Sequence, residues 1–310
     1  MILCRDFFYL SADGQTNIHA VQWAGEEQPR AVIQIAHGIC EYIERYDHFA
    51  SWLAERGFVV VGNDHLGHGK SWQEPARQGL FREKDGWDTV LFDMETLRRM
   101  TTEQYPGVPY ILLGHSMGSF LARTWLIKAP GLFSAAIISG TGQQDEKLLK
   151  AGYAFTNLLA RLRGPLHRST SAKGLMFSAY NKPFRPNRTD YDWICGNDEV
   201  VDAYCQDPGC QFLPCVSLYR DMLGGLLFIG DPDNLSMMDK QTPVLLFSGE
   251  KDPVGEMGTG VDRVYQGFLQ AGCVDVQCKL YPDGRHEVLN EQWRETVYQD
   301  VLAWVESKLA

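Results

Sequence analysis

The sequence predicts an α/β chain: a mostly parallel central sheet flanked by helices, with a mainly helical cap inserted late in the sheet. Three observations carry that expectation. Short runs rich in Val, Ile and Leu alternate with amphipathic, helix-periodic segments, the pattern of a parallel sheet covered on both faces. The alternation lapses between residues 143 and 234, where the chain turns helical, aromatic-rich and loop-rich with no clear buried strand. It then resumes for two more strands and a closing helix.

In chain order, RDFFYLSA and NIHAVQWAG are short alternating segments around the turn signal Asp13-Gly14, which predicts an opening hairpin. AVIQIAHG (Ala31–Gly38) reads as a buried strand. RYDHFASWLAERG (Arg45–Gly57) has apolar residues at helical spacing and a glycine stop. FVVVGNDHLG (Phe58–Gly67) is a second buried strand, and Trp87–Tyr105 an amphipathic helix stopped by Pro106. YILLGHS, MGSFLARTWLIKA and SAAIISG (Ser134–Gly140) give strand, helix and strand. After the cap come PVLLFSG (Pro243–Gly249), a helix over Val261–Ala271, VQCKLYPDG (Val276–Gly284) and a helix from about Asn290 to Lys308. The expected organisation is a core of residues 1–142 and 235–310 and a cap of residues 143–234. Such an insertion emerges near the carboxyl ends of the strands, where open α/β sheets bind ligands.

Bulk properties exclude several functions. The net charge is −10, which argues against a nucleic-acid partner, since that affinity comes from neutralising phosphates. No run of 18 apolar residues predicts a membrane span. The first residues, MILCRDFFYLSADGQ, lack the basic and apolar regions of a signal peptide, so a cytoplasmic protein is expected. Eight cysteines then read as thiols rather than a disulfide frame. Cys195, Cys205, Cys210 and Cys215 crowd together, but without the CxxC spacing of a zinc site.

The chemistry gathers at Gly114-His115-Ser116-Met117-Gly118. A GxSxG at a strand-to-helix junction predicts a sharp turn that lifts the serine hydroxyl above the sheet, beside free N–H groups of a helix N-terminus. Serine needs a base, and the base an orienting acid. In a strand–elbow–helix context the chain order is serine, acid, histidine. Only His167 and His286 follow Ser116. His167 falls in the cap, ahead of any credible acid; His286 lies between the last strand and the last helix. Asp252 and Glu250 both follow the strand before that one, and Asp252 is preferred because it sits deeper in the loop, next to Pro253. The N–H groups of Met117 and Ile39 are the expected oxyanion donors. His37, beside Ile39, is expected to hold that loop. NDHLGHGKS (Asn63–Ser71) suits a glycine-rich turn stiffened by side-chain hydrogen bonds better than a metal site. Among the cap aromatics, Phe177, Tyr180 and Phe212 are the candidates for substrate contact.

Together HGICEYIERY, DHLGHGKS, GHSMG, GEKDPV and DGRHE, in that order, make the chain resemble the α/β-hydrolases, closest to the monoacylglycerol lipase and lysophospholipase-like branch of serine aminopeptidase S33 type. TDYDWICGNDEVVDAYCQDPGCQF (Thr189–Phe212) is similar to the cap of bacterial members. The resemblance spans nearly the whole chain. It implies Ser116, Asp252 and His286 as triad, Ile39 and Met117 as oxyanion hole, and a mobile cap over an acyl pocket. At Ile39-Cys40 relatives usually carry small residues, so a narrower acyl or alcohol site is expected.

The leading expectation is a serine carboxylester hydrolase acting on a small ester or monoacyl lipid, with no metal and no organic cofactor. A peptidase or amidase is the alternative on the same fold; Asp198, Glu199 and Asp202 could then hold a substrate amine. A non-catalytic binding protein is a third reading, disfavoured by the complete triad. Oligomeric state is not legible in the sequence.

Overall fold

The computed structural model describes residues 2–309, so Met1 and Ala310, the outer ends of the expected core, lie outside the described residues. Strands β1 (Leu3–Leu10) and β2 (Asn17–Ala24) form the hairpin, with Leu10 facing Asn17. Asp13 fixes its turn by accepting the N–H groups of Gln15 and Thr16 at 2.7 and 2.8 Å, an Asx-type turn. Strands β3 (Val32–Ala36), β4 (Val59–Asn63), β5 (Tyr110–His115), β6 (Ala135–Ser139) and β7 (Val244–Gly249) are buried along their whole length. β8 (Val276–Tyr281) and β1 are the exposed edges. The strand order is β1-β2-β4-β3-β5-β6-β7-β8. Pairing is parallel from β4 to β8, and β2 runs antiparallel to both of its neighbours.

Alternate side chains of these strands serve two separate cores, as a period of two requires. Ile111 and Leu113 of β5 pack in one cluster, with Phe49 and Leu53 of α1 (Asp47–Ala54). Leu112 belongs to the other, with Val90 and Met94 of α2 (Gly86–Gln104) and Leu121 of α3 (Met117–Lys128). Each fully buried aliphatic side chain contributes about 1.5–3 kcal/mol, which is why these short strands need no alternation with polar residues.

Between β6 and β7 the chain forms α4 (Glu146–Arg163), α5 (Thr170–Phe177), α6 (Asp198–Gln206), α7 (Val216–Gly230) and α8 (Pro232–Leu235). Asp145 and Ser169 cap α4 and α5 by accepting N–H groups of the first turn. α9 (Thr259–Gln270) joins β7 to β8, and α10 (Arg294–Leu309) closes the chain against the first cluster. No helix among the described residues is long and apolar enough to cross a membrane.

Two boundaries differ most from the sequence expectation. The final helix starts at Arg294, after a 3-10 turn at Val288–Asn290. Asn290 is drawn back to the Glu287 carboxylate, while Glu291 adopts an extended backbone and accepts the N–H groups of Gly196 and Arg285. Local hydrogen bonding to the preceding loop thus displaces the first helical turn. β4 stops at Asn63 because Asp64 turns inward to accept N–H groups of Ile43 and Lys70, both at 2.8 Å.

The order β4-β3-β5 places the reversal of strand order between β3 and β5. A crevice opens there at the carboxyl ends, since the two connections leave in opposite directions. The loop after β3 begins at His37 and the turn after β5 is Ser116.

Candidate active site

Ser116 is the single residue between β5 and α3, with φ 54° and ψ −123°. A non-glycine residue there costs on the order of 1–3 kcal/mol, which the surroundings must offset. They hold it tightly. The Ser116 N–H donates to Ser139 O at 3.0 Å, and Ser116 O accepts the Ser119 hydroxyl at 2.6 Å. The flanking glycines are required by contact rather than by dihedral freedom. A Cβ on Gly118 would lie 2.0 Å from Ala36 O, and one on Gly114 would lie 2.4 Å from Gly118 O. Gly118→Ala is therefore expected to destabilise the fold by at least about 1–3 kcal/mol, since a backbone oxygen cannot rotate away. A lowered urea midpoint checks this; an unchanged midpoint would contradict the close packing of α3 on β3.

Met117 is the first residue of α3, so its N–H has no intrahelical acceptor. The loop after β3 presses on the same spot: a Cβ on Gly38 would sit 3.0 Å from Ser116 Cβ. In this loop the Gly38 carbonyl accepts from His37 Nδ1 at 2.7 Å. Across a trans peptide the Ile39 N–H points the opposite way. His37 Nε2 in turn accepts the His65 N–H at 2.9 Å, and His65 Nε2 donates to His37 O at 3.0 Å. Burial pushes His37 and His65 well below the usual imidazole range, so both are neutral braces. Thus the Asn63–Ser71 turn shapes the loop that presents Ile39.

His286 Nδ1 donates to Asp252 Oδ2 at 2.9 Å. Asp252 is fully buried and also accepts the Ser248 hydroxyl and the Val254 N–H, each at 2.9 Å. Glu250, the other candidate acid, is exposed. Burial works against charge on both partners. The pairing outweighs it, so Asp252 is held below the ordinary carboxylate range and His286 is raised above the ordinary imidazole value. The Nδ1–H bond leaves Nε2 as the basic nitrogen.

Ser116, His286, Ile39 and Met117 all line one cavity of about 710 Å³, within the usual range of small-molecule sites. Phe177, Tyr180 and Phe212 line it too. Ile39 and Cys40 lie on its wall. His167 is half-buried between α4 and α5 and does not line the cavity. Asp198, Glu199 and Asp202 do not line it either; Asp198 and Asp202 pair with Arg188 at the surface. The cysteines are free thiols, with Cys195, Cys210 and Cys215 buried and Cys205 half-buried.

Several residues of the site escaped the sequence reading. The His115 ring lies 4.6 Å from that of His286, and burial pushes it down to about 3, so it adds no charge there. The Trp193 ring, from the stretch between α5 and α6, lies 5.2 Å from that of His286. Arg45 forms a bidentate pair with Glu287, both bonds 2.8 Å, and a third bond to Glu41 at 2.8 Å. The one available signal was the recurrence of acids and an arginine next to both predicted loops, in EYIER and RHE.

Residues 27–293 match the family described as serine aminopeptidase, S33. The monoglyceride lipase of Homo sapiens is 32% identical over 97% of this chain and 90% of that protein. The monoacylglycerol lipase of Mycolicibacterium smegmatis is 29% identical over 93% of this chain and 92% of its own length. The crystal structure of a highly thermostable carboxyl esterase from Bacillus coagulans in complex with glycerol superposes with a TM-score of 0.89 at 27% identity, covering 99% of both chains.

Proposed function

The chain belongs to the serine aminopeptidase S33 family of α/β-hydrolases, and within it we propose a carboxylic ester hydrolase that acts on monoacylglycerols and similar small esters through an acyl-enzyme on Ser116. The observation that carries this reading is one cavity lined by the elbow serine Ser116, by Ile39 and Met117, and by His286, whose other nitrogen is bonded to the buried Asp252. Relatives that are monoacylglycerol lipases over almost their whole length supply the substrate class.

In the proposed mechanism His286 Nε2 takes the Ser116 proton as Oγ attacks the ester carbonyl. The Ile39 and Met117 N–H groups hold the oxyanion, a contribution of about 100- to 1,000-fold per donor. His286 then protonates the leaving alcohol. In the second half it activates water, which attacks the acyl-enzyme and releases the acid and free Ser116. Asp252 fixes the imidazole tautomer and stabilises its cation throughout. Phe177, Tyr180 and Phe212 form part of the apolar wall for the acyl chain. We place the enzyme in the cytoplasm, where eight unpaired thiols persist, with no nucleic-acid partner given its acidity.

Rates on a monoacylglycerol, a lysophospholipid, p-nitrophenyl esters of increasing chain length and an aminoacyl p-nitroanilide test the substrate class. The monoacylglycerol is expected to exceed the anilide in kcat/KM by at least about tenfold. An anilide hydrolysed as fast as the ester would favour the peptidase reading. That reading is weakened by Asp198, Glu199 and Asp202 lying away from the cavity.

A further inference from the structure

Arg45, Glu41 and Glu287 form a buried cluster that none of the proposed steps uses. Their side chains are 13%, 5% and 7% exposed. Burying a guanidinium with two carboxylates is a poor way to gain stability, because desolvation offsets much of the attraction. The contacts suggest what the cluster is for. Glu41 Oε1 accepts the Gly38 N–H and, at 2.9 Å, the Tyr46 hydroxyl. Glu287 follows His286 directly, and its Oε2 also accepts from Asn290 at 2.7 Å. The guanidinium therefore ties the loop carrying the Ile39 donor to the loop carrying the base.

The cap joins the same cluster. The Tyr204 ring covers the Arg45 guanidinium, 5.0 Å from it, and the Tyr204 hydroxyl donates to Cys40 O at 3.1 Å. The Glu287 N–H donates to Ile194 O at 2.7 Å, and Arg285 donates to Cys195 O at 3.0 Å. Gly38 on one side of Ile39 and Cys40 on the other are thus both held, one by Glu41 and one by the cap. The cap stretch Asp192–Tyr204 is bonded into this frame at both predicted loops.

We infer that Arg45 is a positioning residue that locks the oxyanion loop, the histidine loop and this cap stretch into one arrangement, and that its pair with Glu287 sets the charge His286 works against. This rests on the proposed roles of Ser116 and His286. Around His286 the charged and titratable groups are Asp252 from the β7 loop, Glu287 beside it, and Glu41 and Arg45 from the β3 loop. Neutral His115 lies against its ring. Arg45 holds Glu287 ionised, down at about 2 against the push of burial.

The test uses Arg45→Met, Arg45→Lys and the isosteric Glu287→Gln. Each loosens the frame, so kcat for a short p-nitrophenyl ester is expected to fall about 10- to 100-fold, with KM within about twofold. Arg45→Lys should recover only part of the loss, since an ammonium cannot make the bidentate pair. The acid limb of kcat/KM carries a sign that a merely structural role would not produce. Removing the Glu287 charge weakens the imidazolium, so the limb moves to lower pH. Removing Arg45 also frees the buried Glu41 and Glu287 to take up a proton, so Arg45→Met is read by its kcat and the sign of the limb is read from Glu287→Gln. Glu287→Gln alone carries the test if Arg45→Met does not fold. Near wild-type kcat with an unmoved limb in Glu287→Gln would overturn the inference. Fluorophosphonate labelling of the wild type separates the two failures: an unlabelled Ser116 defeats the underlying mechanism, whereas a labelled Ser116 with unaffected variants defeats only the role of Arg45.

Discussion

Replacing Ser116 with alanine is expected to lower kcat/KM for a p-nitrophenyl ester by about 10⁴- to 10⁶-fold while leaving the protein folded. The loss is large because the nucleophile that the remaining machinery activates is gone. Ile39 and Met117 can still polarise a carbonyl, and His286 can still act on water, but no covalent step remains. The fold should survive because alanine keeps the Cβ and removes only Oγ; the bonds that hold the turn are made by the Ser116 backbone. Steady-state rates and a thermal melt check both parts. Activity above about a thousandth of wild type, once contaminating esterase is excluded, would place the nucleophile elsewhere.

Asp252→Asn should cost nearly as much, about 10⁴-fold in kcat at neutral pH. The carboxylate accepts three hydrogen bonds in a fully buried site, from His286, Ser248 and Val254. An amide can present its NH2 group to the ring, which forces the Nδ1 lone pair toward it and puts the proton on Nε2, where it blocks Ser116. The charge is lost as well. His286 is raised in the native enzyme because Asp252 outweighs the effect of burial, so removing that charge lets burial pull the imidazole down. The residual activity should therefore keep its acid limb at lower pH than wild type. A drop of less than about tenfold would mean that Asp252 does not orient the base.

Much of the core was legible because its signals are local. The apolar runs of β3 to β7 need burial on both faces, and GHSMG needs a tight turn whatever surrounds it. Chain order then singled out His286, and loop position favoured Asp252 over Glu250. What could not be read depends on contacts between distant segments. Nothing in EYIER says that Arg45 reaches Glu287, 242 residues away. Nothing near Trp193 marks it as a neighbour of His286. The late start of α10 has the same origin, since Glu291 gives up a helical turn to hold Gly196 and Arg285.

The most direct test of the proposed acyl-enzyme is mass spectrometry of the protein treated with a fluorophosphonate, followed by peptide mapping. One adduct per chain is expected, on Ser116, with labelling slowed in Asp252→Asn and absent in Ser116→Ala. An adduct on another residue, or labelling that persists in Ser116→Ala, would contradict the assignment of the nucleophile.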